Sequence, residues 1–236
     1  MREKPNEWVS IADLMAGVVA VVMLLFVVAV MQIREGTGSL DACKSLVRAS
    51  ATKTKQVRNR VAEILEKVRA SIARQGLEGL VEIDIESQKM TFREGAFDSG
   101  SACINTESSK VFLEVEKQTS LLLQTIGEVE IFVDGHADAT PAGDSTDKKK
   151  KCAYYNDNYT LSSARANEVR KQLVGQLADE RLRNRMIVTG YGDSRLLVRS
   201  EPTNPRNRRV ELRIVVPPEP LGKDDPQLLK RCLDAR

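Results

Sequence analysis

The sequence has 236 residues, 42% hydrophobic, 29% charged and 4% aromatic, and 36 Lys+Arg against 33 Asp+Glu leave a formal net charge of +3. That length suits one ordinary domain plus an appendage, not two large enzymatic domains. The near balance of charge argues against a dedicated nucleic-acid binder, which is markedly basic, and the apolar content argues against intrinsic disorder.

From Leu14 to Met31 every residue is apolar or glycine, and with Ile11, Ala12 and Ile33 the hydrophobic run spans 11–33. At about 1.5 Å per residue it crosses the roughly 30 Å hydrocarbon layer once. The apolar region of a signal peptide is only about 7–15 residues long and ends at a small-residue cleavage site. Here Met31-Gln32-Ile33-Arg34-Glu35-Gly36 follows instead, so the run is expected to be an uncleaved anchor. Arg2 and Lys4 precede it, while Arg34, Lys44, Arg48 and Lys53 follow. Counting basic residues does not fix the orientation, because that rule loses force before a long domain.

Asp13 lies at the start of this run. A carboxylate inside an apolar span is costly and marks an ion or proton path. Alternatively, Ser10 to Asp13 has capping-box spacing, with Ser10 as cap and Asp13 satisfying first-turn amides. With Trp8 at the membrane interface, Asp13 would lie about 7.5 Å deeper on the helical rise. The two readings are compatible.

Gly36-Thr37-Gly38-Ser39 reads as a short break. Leu40 to Gln75 then reads as a helix with Val57, Val61, Ile64, Leu65, Val68 and Ile72 on one stripe. A compact domain begins near Leu80. Val81 to Glu86 alternates as a half-buried strand, and Lys89 to Phe92 is its hairpin partner. Asn105 to Thr125 is helical, Glu130 to Asp134 a strand, Leu161 to Leu177 helical and Met186 to Thr189 a strand. Val210, Leu212, Ile214 and Val216 alternate in the last strand. Pro217, Pro218 and Pro220 close the domain, and Asp225 to Leu233 reads as a short terminal helix. The order predicts a two-layer α/β fold, a mixed sheet covered by helices, behind a single transmembrane helix.

Four cysteines occur, at 43, 103, 152 and 232, with no CxxC pair and no zinc spacing. In an oxidising compartment disulfides form. Cys103 and Cys152, both in loops of the compact domain, are the expected pair, and free buried thiols are the alternative.

Several segments carry chemistry. Gly135-His136-Ala137-Asp138 follows a strand, with Thr140 beyond it. Asp134, His136 and Asp138 alternate as a metal triad would, but the alternation is expected to break at Gly135 and no metal is expected. Neither a Ser/His/Asp set nor a carboxylate pair points to an enzyme. In Asn158-x-x-Leu161-Ser162-x-x-Arg165-Ala166, with Thr160 or Ser162 as helix cap, Arg165 falls in the opening turns. A cation there opposes the helix dipole, which suggests an anion beside it. The competing reading is an ion pair with Glu168 or Asp138. Asn207-Arg208-Arg209-Val210-Glu211 reads as structural ion pairing, and Lys148 to Lys151 as a solvated loop.

These fragments, in this order and with Gly190-Tyr191-Gly192 between the last two, resemble the OmpA-like peptidoglycan-binding family. Phe97-Asp98-Ser99-Gly100-Ser101 resembles that family's opening motif, and the likeness covers roughly residues 80–216. The resemblance implies that Asp138 receives the ammonium and Arg165 the carboxylate of diaminopimelate, with Asn158 and Thr140 at further ligand-contacting positions. Ala137 stands where the family has Thr. The segment 141–157 is longer than usual and is expected to cover or reshape the pocket.

A single amino-terminal span with Asp13 near its start, joined to such a domain, is similar to the B subunits of ion-driven stators. The phrase Ser10 to Gly17, with almost no tail before it, is closer to the ZorB type of the Zorya anti-phage systems. The flagellar MotB type carries a longer basic tail and a YAD motif. The resemblance implies a non-enzymatic, self-dimerising inner-membrane protein without cofactors, carrying H+ or Na+ on Asp13. Its implied partners are peptidoglycan and multi-span MotA/ZorA-like A subunits, five to two B chains, with no nucleic acid. The implied organisation is a cytoplasmic tail at 1–10, the membrane helix at 11–33, a periplasmic helical linker at 34–79, the OmpA-like domain at 80–216 and a tail at 217–236. A flagellar-type stator subunit or a passive membrane-tethered wall anchor is the alternative function.

Overall fold

The computed structural model describes residues 7–97, 101–106, 108–127, 129–142, 155–221, 223 and 225–233. The chain forms two compact units, Met1–Lys53 with Pro218–Arg236, and Thr54–Pro217. Helix α1 (Glu7–Arg74) contributes to both. It runs straight through the expected break at Gly36–Ser39. Each glycine costs a helix about 1 kcal/mol relative to alanine, yet extending an established helix adds one hydrogen bond per residue fixed. Because α1 already begins at Glu7, Ser10 lies inside the helix and not at its cap.

In the second unit, Val61, Leu65, Val68 and Ile72 of α1 are almost fully buried in the core. Their steps of four, three and four put them on one helical face. The sheet comprises β1 (Val81–Asp84), β2 (Lys89–Arg93), β3 (Glu130–His136), β4 (Met186–Gly190) and β5 (Arg209–Val215), in the order β1-β2-β5-β3-β4. Only β3 and β4 run parallel; the other neighbours are antiparallel. The parallel pair needs a crossover, which contains α3 (Asn158–Leu173) and the four-residue α4 (Glu180–Arg183).

Alternation gives the sheet two unlike faces. Met90, Phe92, Ile131, Val133, Val210, Leu212 and Ile214 are buried in one cluster with Val111, Phe112 and Val115 of α2 (Ser108–Thr125) and Ala166, Val169 and Leu173 of α3. Phe92 and Phe112 stack with ring centroids 4.5 Å apart. The intervening strand positions carry charge. Glu211 pairs with Arg209 at 2.7 Å and Lys89 at 3.5 Å, and Asp134 with Arg213 at 2.9 Å. Arg185 fastens the end of α2 to the start of β3 by donating to the carbonyls of Leu123, Ile126 and Val129. Such a cation suits a helix C-terminus.

In the first unit, Asp13–Arg34 is long and apolar enough to cross a membrane, and none of it is buried. Farther along α1, Ala42 and Leu46 become buried. A disulfide joins Cys43 to Cys232 in α5 (Pro226–Leu233), with Cα atoms 4.9 Å apart, within the normal disulfide range. Sequence reasoning had singled out neither cysteine. Cys103 is also disulfide-bonded, whereas Cys152 lies outside the described residues.

Candidate functional site

Two facing glycines set the site. Gly135 at the end of β3 and Gly190 at the end of β4 are register partners. A Cβ on the first would overlap the Ser162 carbonyl, and one on the second would overlap the Ser163 side chain. Only glycine lets the opening turns of α3 lie this close to the strand ends. Ser162, fully buried, accepts from Gly192 N at 2.9 Å and donates to the Tyr159 carbonyl at 3.0 Å. Ala137 N donates to Gly192 O at 2.8 Å, and Tyr191 N to Gly135 O at 2.9 Å. The GHxD, LSxxRA and GYG fragments therefore interlock.

Asp157 caps α3, accepting from Thr160 N at 2.6 Å and Thr160 Oγ1 at 2.8 Å. The cap expected at Thr160 or Ser162 is thus displaced upstream; Asp157 has the right offset, and Thr160 serves as donor. Those hydrogen bonds hold the Asp157 carboxyl below the ordinary aspartate range.

Asp138, 4% exposed, lies two residues past β3. Its Oδ1 accepts from Thr140 N at 3.2 Å, and its Oδ2 from Thr140 Oγ1 at 3.2 Å and from Arg208 Nη1. Asn158 donates to the Asp138 carbonyl at 3.0 Å and accepts from Ala142 N at 3.0 Å. Asp138, Thr140 and Asn158 thus form one cluster. A carboxylate offers about four acceptor positions, so one remains at Oδ1 for an incoming donor. Arg165 is on the same helix, seven residues after Asn158 and 2% exposed. Its Nε donates to the Ser101 carbonyl at 2.9 Å, and its guanidinium carbon lies 5.5 Å from the centre of the Phe97 ring. Neither ion pair weighed for Arg165 is the arrangement at those carboxylates: Glu168 holds Lys171 at 2.7 Å, and Asp138 holds Arg208. Asp98, Ser99, Gly100 and most of 141–157 lie outside the described residues.

The NRRVE fragment divides its work. Buried Asn207 accepts from Val198 N at 2.8 Å and donates to the carbonyls of Val198, Glu201 and Pro202. Pro202 O in turn accepts from Ala139 N at 3.0 Å, next to Asp138. Arg209 and Glu211 form the expected structural pair. Burial disfavours the Glu211 anion, but the hydrogen bond and charge of Arg209, with Lys89, hold its pKa below the usual value. Sequence reasoning missed Arg208 as a partner of Asp138, 70 residues away in the chain. Two adjacent arginines entering a strand were its only signal.

β3 continues through Gly135, so the expected break in alternation is absent and Asp134 and His136 share the polar face. The His136 ring stacks on Tyr191 at 5.2 Å, and Arg195 lies over the same tyrosine at 3.8 Å. Neither ring nitrogen of His136 has a partner among the described residues. Burial, then the charge of Arg209, pushes its pKa down to about 4. Among the described residues no group of three His, Cys, Asp or Glu is placed to hold a metal.

Residues 96–209 match the OmpA family. No curated protein matches the chain. A MotB-like protein from Desulfovibrio vulgaris is similar in structure, with a TM-score of 0.54 and 19% identity over 70% of this chain and 99% of that one. The cell wall anchor of the T6SS from Pseudomonas aeruginosa matches at 0.49 and 25% identity, over 66% and 97%. The periplasmic domain of Helicobacter pylori MotB matches at 0.42 and 21% identity, over 62% and 83%. The chain therefore carries an OmpA-like α/β domain, its mixed sheet packed by helices, behind one amino-terminal helix apolar enough to span a membrane.

Proposed function

We propose that this chain is the wall-anchored B subunit of an ion-driven inner-membrane motor of the MotB/ZorB kind, acting in anti-phage defence. The observation that carries the reading is the pairing of Asp13, exposed at the start of an apolar helix, with an OmpA-like domain on the same chain. A passive tether needs the domain and the helix but has no use for a carboxylate among membrane-facing side chains.

In this reading the domain lies in the periplasm and binds the diaminopimelate of peptidoglycan. Its ammonium takes the open Oδ1 position of Asp138, while its carboxylate meets Arg165, with Asn158 and Thr140 holding the Asp138 loop in shape. Asp13 accepts the permeating H+ or Na+, and neutralisation removes the penalty of moving its charge against an apolar surround. Two B chains stand within five A-type subunits and give them a fixed point to work against.

The anchor is tested by retention on purified peptidoglycan. Asp138→Ala and Arg165→Ala should each reduce retention at least tenfold, with circular dichroism confirming the fold. Retention equal to wild type in both variants would remove the site assignment.

A further inference from the structure

The chain leaves the first unit at Lys53 and returns to it at Pro218, just after β5. β5 is the middle strand of the sheet, bonded to β2 on one side and β3 on the other. After its return the chain is joined covalently to α1 through Cys43–Cys232. Beside that bond Ala42 and Leu46 of α1 are buried, and polar contacts also reach the returning chain. Ser50 Oγ donates to the Glu219 carbonyl at 2.6 Å, and half-exposed Lys53 and Lys223 stand 4.0 and 3.9 Å from the Glu219 carboxylate. A cavity of about 230 Å³, lined by Leu46, Ala49, Pro220 and Leu228 among others, remains beside them. Ion pairs at this distance to half-exposed lysines hold little, so the disulfide is the strongest connection between the tail and the helix.

We propose that the segment Pro218–Leu233 is a second tether, latched by Cys43–Cys232, so that pull on the domain reaches the membrane helix along two covalent paths. The proposal rests on the reading above, in which the domain is held while the helix works against its partners. Through α1 alone, pull would peel Val61, Leu65, Val68 and Ile72 from the core turn by turn, breaking few contacts at a time. Through β5, the same pull is spread over two hydrogen-bonded ladders loaded together. Closing the latch oxidises two thiols to one disulfide. The two electrons, and by way of solvent the two protons, pass to a disulfide-carrying protein oxidant, which becomes a dithiol. A reducing dithiol reverses the exchange and opens the latch.

The test is force spectroscopy on the full chain in lipid nanodiscs. One handle is at the amino terminus, the other a cysteine-free tag at Leu197, an exposed loop residue. The oxidised protein should resist the first extension, the peeling of α1, to at least twice the force needed for Cys43→Ser, Cys232→Ser or reduced wild type. Equal forces overturn the proposal. A protease site placed between Pro217 and Pro220 separates tethering from simple bracing. Cut there with its disulfide intact, the protein should peel at the low force; retention of the high force also overturns the proposal. Murein retention of the uncut wild type, measured in parallel, reports on the wall-anchoring reading alone, and its absence leaves the force comparison standing.

Discussion

The two units treat charge in opposite ways. In the domain, three buried or half-buried carboxylates are matched within the chain: Asp134 by Arg213, Glu211 by Arg209, Asp138 by Arg208. On the amino-terminal apolar helix, Asp13 makes no hydrogen bond or ion pair among the described residues and is flanked by the exposed side chains of Leu14, Met15 and Val18. These domain carboxylates find their partners within the fold, whereas the helix presents a surface that lipid, protein or an ion has to complete. A carboxylate that the fold does not need for itself is free to serve a partner.

That contrast is broken most severely at Asp13. Asp13→Asn should abolish the ion-driven activity proposed above while leaving expression and the thermal unfolding of the domain unchanged; retained activity would remove Asp13 as the ion carrier. In the domain the large effects should be on stability. Phe92→Ala removes a fully buried ring from the stack with Phe112 and should destabilise the domain by about 3–5 kcal/mol in denaturant titrations. The matching change Phe26→Ala, in the exposed span, should leave that transition where it is.

His136 sharpens the comparison, because here the domain buries a titratable group without a matching partner. Its folded pKa is about 4 against an ordinary value of 6.5. Between those values the unfolded chain binds the extra proton, so stability falls as pH drops from 6.5 and levels off below 4. The whole loss is about 3 kcal/mol. Urea unfolding across this range should show it, and His136→Phe, which keeps a ring beside Tyr191, should flatten the profile. The smallest effect is expected at the α3 cap, where Asp157→Ala should lower the melting temperature by a few degrees.

Much of this architecture was legible because burial imposes a period. The alternation of Val210, Leu212, Ile214 and Val216 and the helical stripe through Val61, Leu65, Val68 and Ile72 each appear where expected. Where several residues satisfy the same local rule, the sequence does not choose between them. Asp157, Thr160 and Ser162 are all good caps, and only the folded backbone selects Asp157. Gly36 to Ser39 looks like punctuation, yet α1 passes through it. Contacts between distant residues are the least legible. The Arg208–Asp138 pair joins positions 70 apart and the Cys43–Cys232 bond positions 189 apart; four cysteines allow three pairings, and spacing does not rank them.

The Cys43–Cys232 connection also dictates an order of events during biogenesis. Cys103 and Cys152 both emerge between its two ends, so Cys43 meets two wrong mates before the right one has been synthesised. Strictly sequential oxidation would trap the nascent polypeptide in a scrambled isomer. Correct maturation therefore calls for a shuffling catalyst or a delayed oxidant, since uncatalysed reshuffling takes minutes to hours.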